Sequence, residues 1–203
     1  MSELITTTTS SFNARWNDKG SGATRDGGFW HPNSQGNMRP LGSVGVPHYN
    51  DINGSYVARL IGPGSFSDPN GLPPLASPTG YTQIWNDQKS GANKDGAFWR
   101  PIPPNGYMAL GDVAMSGLTQ TPATSDVWCV RQDLVKQGSF ASNSIWDDKK
   151  SKAKSDVSIW EIRGINRDDP EDEVGITAIY IGTIRASHNY NAPDSIYAQV
   201  PLV

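Results

Sequence analysis

Cysteine is almost absent: Cys129 stands alone among 203 residues. One thiol excludes an intrachain disulfide and leaves no Cys-based zinc site. Its strand-like surroundings predict a buried small apolar group. No apolar run is long enough to cross a bilayer. The long Ala/Leu/Glu/Lys runs that favour helices are missing too. The N-terminal Met1-Ser2-Glu3-Leu4-Ile5, followed by Thr6 to Thr9, has neither a basic start nor an apolar h-region, so it does not read as a signal peptide. The expectation is cytoplasmic synthesis, with later release by a non-classical route left open. The net charge of −3 comes without a Lys/Arg-rich stretch, which argues against a nucleic-acid partner. His31, His48 and His188 are scattered. No Ser/His/Asp or Cys/His arrangement and no phosphate-type glycine string accompanies them. No catalytic residue, cofactor or metal is therefore assigned, and the chain reads as a non-enzyme.

What the chain does have is a unit written three times. Trp16-Asn17-Asp18, Ser21-Gly22-Ala23, Asp26 and Phe29-Trp30 recur as Trp85-Asn86-Asp87, Ser90-Gly91-Ala92, Asp95 and Phe98-Trp99. A worn third copy reads Trp146-Asp147-Asp148, Ser151-Lys152-Ala153, Asp156 and Ile159-Trp160. The paired tryptophans are 14 residues apart in every copy, and six of the seven tryptophans sit in this frame. Alternating segments such as Phe12 to Trp16 and Tyr81 to Trp85 enter a Gly/Asp/Ser/Lys loop that ends in an apolar pair, which is a hairpin pattern. Further strand signal follows at Leu41-Gly42-Ser43-Val44, Ser55 to Ile61, Leu110 to Ala114, Asp126 to Val130 and Val174 to Ile181. The last of these places the third Leu-Gly equivalent at Val174-Gly175, after the charged insertion Arg167 to Glu173. Ser195 to Val200 alternates and is expected to complete a sheet, with the N-terminal stretch as its partner. Arg131 to Lys136 is the one candidate short helix.

Each piece is too small to bury its own apolar face, so the pieces must share a core. The expected fold is all-β: one three-sheet β-prism with pseudo-threefold internal repeats. Its boundaries fall near 1–66, 67–138 and 139–203. The tryptophans are expected in its core, because one such side chain buries about 150–250 Å².

The second copy continues through Trp99-Arg100-Pro101, Pro103-Pro104-Asn105-Gly106-Tyr107 and Leu110-Gly111-Asp112-Val113. This string resembles the repeat of proteins known as vacuolar protein sorting-associated protein sixty-two. It is also similar to a short motif in the adaptor-binding region of the vacuolar-sorting thirteen lipid-transfer proteins. The first copy departs from it, with His31-Pro32 in place of Arg-Pro, and the third keeps only the Trp, Asp and Ser frame. The resemblance implies a β-rich recognition module of prism type, the shape of jacalin-type lectins and some lipid-binding modules. It implies a link to membrane traffic, or to bacterial pore-forming and insecticidal proteins that carry related domains. No mannose motif of the monocot lectins is present, so no sugar site carries over.

Two readings of the loop carboxylates stay open. Asp and Ser in turns bond local backbone N–H groups; the same groups can accept sugar hydroxyls or ligate Ca²⁺, although the spacing matches no EF-hand. The candidate contact residues are Asp18, Ser21, Asp26, Asp87, Ser90 and Asp95, with Tyr107 ranked below them and Tyr49 and Tyr190 as further surface aromatics. Gly22/Gly91 and Gly27/Gly96 become Lys152 and Val157 in the third copy, so a site needing close backbone approach would survive only in copies one and two. Loop cations such as Lys19, Arg25, Lys89, Lys94, Lys149 and Lys150 suit acidic headgroups. The expected work is recognition of a cell-surface glycan or lipid headgroup, with a toxin or defence role and a homo-oligomer left open. The alternatives are a protein-interaction module of membrane traffic and an oligomerising pore-forming protein.

Overall fold

The computed structural model describes residues 2–65, 71–164 and 179–203. The first repeat supplies β1 (Leu4–Thr9), β2 (Phe12–Asn17), β3 (Gly28–Pro32), β4 (Val44–Val46) and β5 (Tyr56–Pro63). The second supplies β6 (Leu75–Ala76), β7 (Gly80–Asn86), β8 (Gly96–Ile102), β9 (Tyr107–Met108), β10 (Val113–Ser116), β11 (Cys129–Arg131) and β12 (Val135–Gln137). The third supplies β13 (Ser139–Phe140), β14 (Trp146–Asp147), β15 (Ser158–Arg163), β16 (Ile179–Ile181), β17 (Ile184–Ser187) and β18 (Gln199–Pro201). The protein is all-β. Among the described residues its strands divide among six small sheets, none of them a closed barrel.

Three of these sheets are one sheet repeated: β2-β3-β4, β7-β8-β10 and β14-β15-β17, each with the hairpin's return strand in the middle. The ladder slips at the same place in the first two, between Ala14 and Trp16 and between Gln83 and Trp85. Such a bulge re-aims the side chains around it, and here it turns both tryptophans inward. Trp16, Trp85 and Trp146 meet in a triangle with ring centroids 5.6, 5.4 and 5.8 Å apart. Phe29, Phe98 and Ile159 join them, all fully buried. Successive strand residues point to opposite faces, so the second tryptophan of each pair leaves this cluster; Trp30 packs instead beside Phe12, Val44, Val46 and Ile52. One tryptophan per repeat, rather than two, builds the central core.

The repeats are laced in one rotational sense. Trp16 Nε1 donates to the Lys94 carbonyl at 2.8 Å, and Trp85 Nε1 to the Ser155 carbonyl at 2.8 Å. Gly27 and Gly96 make room for the neighbouring indole: a Cβ would lie 2.6 Å from Trp146 Cγ at the first and 2.2 Å from Trp16 Cγ at the second. Val157 takes that position in the third repeat and is itself fully buried in the cluster. The missing side chains serve packing between repeats. At the other end Gly42 abuts the backbone of Gly111, and Gly111 abuts Thr183.

Several expectations change. The strand pairings align Trp30 with Val44, Trp99 with Val113 and Trp160 with Arg185. Counting back three residues from these pairs, the third Leu-Gly equivalent is Gly182-Thr183, because the charged insertion displaces it along the chain. Val174-Gly175 and the insertion Arg167 to Glu173 lie outside the described residues. The C-terminal segment splits: Ser195–Tyr197 is a 3-10 turn, and β18 pairs with β12, while the N-terminal β1 pairs with β5. Asp194 caps that turn through Ile196 N–H, which starts a turn where alternation alone suggests a strand. The candidate helix at Arg131 to Lys136 is a three-residue 3-10 turn, Gln132–Leu134. Cys129 is fully buried in β11, and burial pushes its thiol up to about 12.

Candidate functional site at the converging hairpin loops

The three hairpin loops touch. Asn93 N–H donates to the Lys19 carbonyl at 2.8 Å, and Thr24 N–H to the Lys149 carbonyl at 3.0 Å. Each loop is held from inside by the aspartate that follows Trp-Asn or Trp-Asp. Asp18 Oδ1 accepts from Gly27 N–H at 2.8 Å, Asp87 Oδ1 from Gly96 N–H at 2.9 Å and Asp148 Oδ1 from Val157 N–H at 3.0 Å. Ser21 Oγ donates to Asp18 Oδ2 at 3.1 Å and accepts from Ala23 N–H at 3.1 Å; Ser90 does the same with Asp87 and Ala92 at 3.2 and 3.0 Å. A carboxylate bracketing two ends of a loop replaces the ladder bonds that the loop lacks.

The sequence-derived candidates therefore separate into two groups. Asp18, Ser21, Asp87 and Ser90 are 2%, 5%, 2% and 2% exposed, and their side chains bond within their own loops, Asp18 accepting one further bond from Tyr49. Asp26 and Asp95 are exposed on the same loops. Tyr107 is distant from both groups in its bonding: it is 6% exposed in β9, and its hydroxyl donates to the Pro73 carbonyl at 2.8 Å. Burial first, and then the neighbouring Asp95 and Asp156 charges, raise the carboxyl pKa of Asp87 and Asp148 above the ordinary aspartate value, against the hydrogen bonds that lower it. Among the described residues no group of three or more His, Cys, Asp or Glu is placed to hold a metal ion.

Two tyrosines complete the loops. Tyr49 Oη donates to Asp18 Oδ1 at 2.9 Å, and Tyr190 Oη bonds Asp148 and Asp156. Strand register makes Leu118 their counterpart in the second repeat, so the Asp87/Asp95 pair has no phenol over it. Lysines crown the loops: Lys19, Lys89, Lys94, Lys149, Lys150, Lys152 and Lys154 are all exposed, against only Asp26, Asp95 and Asp156 among the loop carboxylates. Lys89 and Lys150 hold φ of 70° and 68°, at the position where the first repeat has Gly20 with φ 94°. A side chain in this left-handed region carries a cost of order 1 kcal/mol, so both lysines are presented outward from a strained turn.

The strongest motif of the second copy is also an ion pair. Arg100 Nε and Nη2 donate to Asp112 Oδ1 and Oδ2 at 2.9 and 2.8 Å, and Asp112 Oδ2 accepts from Ala186 N–H at 2.8 Å. The Arg of Trp-Arg-Pro and the Asp of Leu-Gly-Asp thus tie the second repeat to the third. His31 and Ser43 hold the corresponding places in the first repeat, 3.0 Å apart, and Ser43 Oγ accepts from Ala114 N–H at 2.9 Å.

The sequence model for Vacuolar protein sorting-associated protein 62 matches residues 2–199. The chain belongs to this family. That match takes in all three loops of the vacuolar protein sorting-associated protein 62 repeat, the worn third one included. Among solved structures the chain is similar to GNIP1Aa from Chromobacterium piscinae, with a TM-score of 0.72 and 30% identity. The likeness covers 97% of this chain and 35% of GNIP1Aa, so the chain spans about a third of the length of that protein. No curated protein matches it. No helix among the described residues is long and apolar enough to cross a membrane.

Proposed function

We propose that this protein is a non-catalytic recognition module that engages a cell surface, through a glycan or a lipid headgroup, at the end where its three hairpin loops converge. In this reading the sheets form three sides of a prism whose inner filling is the tryptophan cluster. The observation that carries it is the charge of that end: seven exposed loop lysines face three exposed loop aspartates, on a chain whose net charge is −3. The buried Asp/Ser brackets fix the loops, so the lysines stand on a preformed surface and little ordering is required on binding. Three loops together also favour avidity over a single strong contact.

Flotation with phosphatidylserine-containing, phosphoinositide-containing and neutral vesicles, run beside a glycan array, tests this. The expected result is retention on an anionic surface that weakens as salt rises. No retention on any vesicle or glycan at low salt sinks it. Capture of a defined peptide instead moves the protein to the membrane-traffic alternative.

A further inference from the structure

The three repeats leave three junctions, and two of them are filled from within. At the junction of the third and first repeats, Arg25 donates to the Ser144 carbonyl at 2.9 Å, to Ser144 Oγ at 2.6 Å and to Asp147 Oδ2 at 2.6 Å. On the second repeat, Gln83 Nε2 reaches the Leu118 carbonyl at 2.5 Å and Gln83 Oε1 accepts from Asn86 Nδ2 at 3.0 Å, both within that repeat and beside Trp85, whose Nε1 crosses to the Ser155 carbonyl of the third. The junction of the first and second has neither device. Ala14 stands where the others have Gln83 and Ser144, and Lys94 stands where Arg25 would cross. A cavity of about 120 Å³ remains there, floored by Trp16 and Phe29.

Its lining carries two cations, Arg15 and Lys94, two aromatic rings, Trp30 and Tyr49, and the short polar groups of Asn17 and Ser116. No carboxylate lines it. Lys94 forms no ion pair among the described residues. Arg15 Nη1 donates to Met115 Sδ at 2.9 Å and Nη2 reaches Asp126 at 3.4 Å, a long ion pair that leaves the guanidinium's charge incompletely matched. Aromatic faces beside hydrogen-bonding groups suit the face of a saturated ring.

We infer that this junction is a binding site for one anionic, hydroxylated ring, such as an acidic monosaccharide unit or an inositol phosphate. Lys94 and Arg15 meet the anion, Asn17 and the Ser116 oxygen, whose own proton goes to the Arg15 carbonyl, meet hydroxyls, and Trp30 or Tyr49 covers a ring face. The inference rests on the surface-recognition reading above and locates one ligand of that surface between two repeats.

Calorimetric titration with sialyllactose, inositol 1,4,5-trisphosphate and neutral lactose tests it on the full chain. Two variants copy the filled junctions: Ala14→Gln and Lys94→Ser, both at exposed positions. One anionic probe or both should saturate the wild-type protein, lactose should not, and the responding probe names the source of the ring. Each variant should lose about tenfold or more in affinity, Lys94→Ser by removing one charge-assisted hydrogen bond and Ala14→Gln by filling the cavity, with thermal midpoints unchanged. Wild-type affinity in Ala14→Gln, equal binding of lactose, or no saturation by either anionic probe overturns the site. The flotation and array measurements separate the two readings: surface binding that persists while both probes fail removes the junction site alone.

Discussion

Gly96 has no room for a methyl group, and the reason lies in another repeat. Its absent Cβ would sit 2.2 Å from Trp16 Cγ, inside a cluster that has no flexible end to move aside. Gly96→Ala is expected to destabilise the fold by about 1–3 kcal/mol through overpacking, read as a drop in the urea midpoint with an unchanged slope. An unchanged midpoint would show that the indole gives way. His31 is the second residue with a measurable signature. Burial, and then the Arg15 charge, pull its pKa from 6.5 to about 4 against the Asp126 carbonyl at 3.1 Å. The folded protein holds it neutral while the unfolded chain protonates near 6.5, so its contribution is complete above that pH. It is lost as pH falls from 6.5 to 4, by about 3 kcal/mol in all. The raised carboxyls of Asp87 and Asp148 oppose this trend at the acid end, since folding favours their protonated form. Denaturation midpoints between pH 7 and pH 4.5 should fall steeply in the wild type and less in His31→Gln; parallel slopes would assign the acid loss to other groups.

At the scale of the element, the hairpin loop separates two aspartates that look alike in the sequence. Asp87 accepts Gly96 N–H and the Ser90 hydroxyl from a buried position, whereas Asp95 stands in solvent. Asp87→Ala strands both donors and should cost about 2–4 kcal/mol, the sum of two buried bonds left unmade. Asp95→Ala should change stability by less than about 0.5 kcal/mol. Thermal melts of the two variants decide it, and equal losses would mean that the bracket does not hold the loop. The hairpins, their order and the inward tryptophans were legible because strand, polar loop and apolar pair recur in register. Which tryptophan of each pair turns inward was not legible, because a one-residue bulge beside the first reverses the alternation locally without a residue type that marks it. Tyr107 read as a surface aromatic because it lies outside the Trp/Asp/Ser frame; its place in β9 beside β11 and its bond to the Pro73 carbonyl are distant contacts that no local pattern encodes. Strand register puts Tyr49 and Tyr190 in the same place in their repeats, a correspondence visible only once Val44 and Arg185 are aligned.

At the scale of the whole molecule, the repeat was the legible feature and the interlock was hidden. Identical spacing in three copies announces shared packing, but not that Trp16 bonds into the second repeat and Trp85 into the third. That exchange makes the repeats interdependent: the carbonyl that satisfies Trp16 and the glycine that admits it belong to the second repeat, Trp85 takes its carbonyl from the third, and Trp146 packs on a glycine of the first. It also makes the three centres energetically unequal. Trp16 and Trp85 each have an acceptor, while Trp146 Nε1 is buried without one. Trp85→Phe therefore leaves the Ser155 carbonyl unpaired, whereas Trp146→Phe removes an unsatisfied donor. The first should cost about 1 kcal/mol more than the second, even though the two rings occupy equivalent corners of one triangle. Because the corners share a single core, each variant should lower the hydrogen-exchange protection of strands β3, β8 and β15 together. Protection lost in β8 alone, with β3 and β15 unmoved, would show three sheets folding side by side rather than one core closed by three.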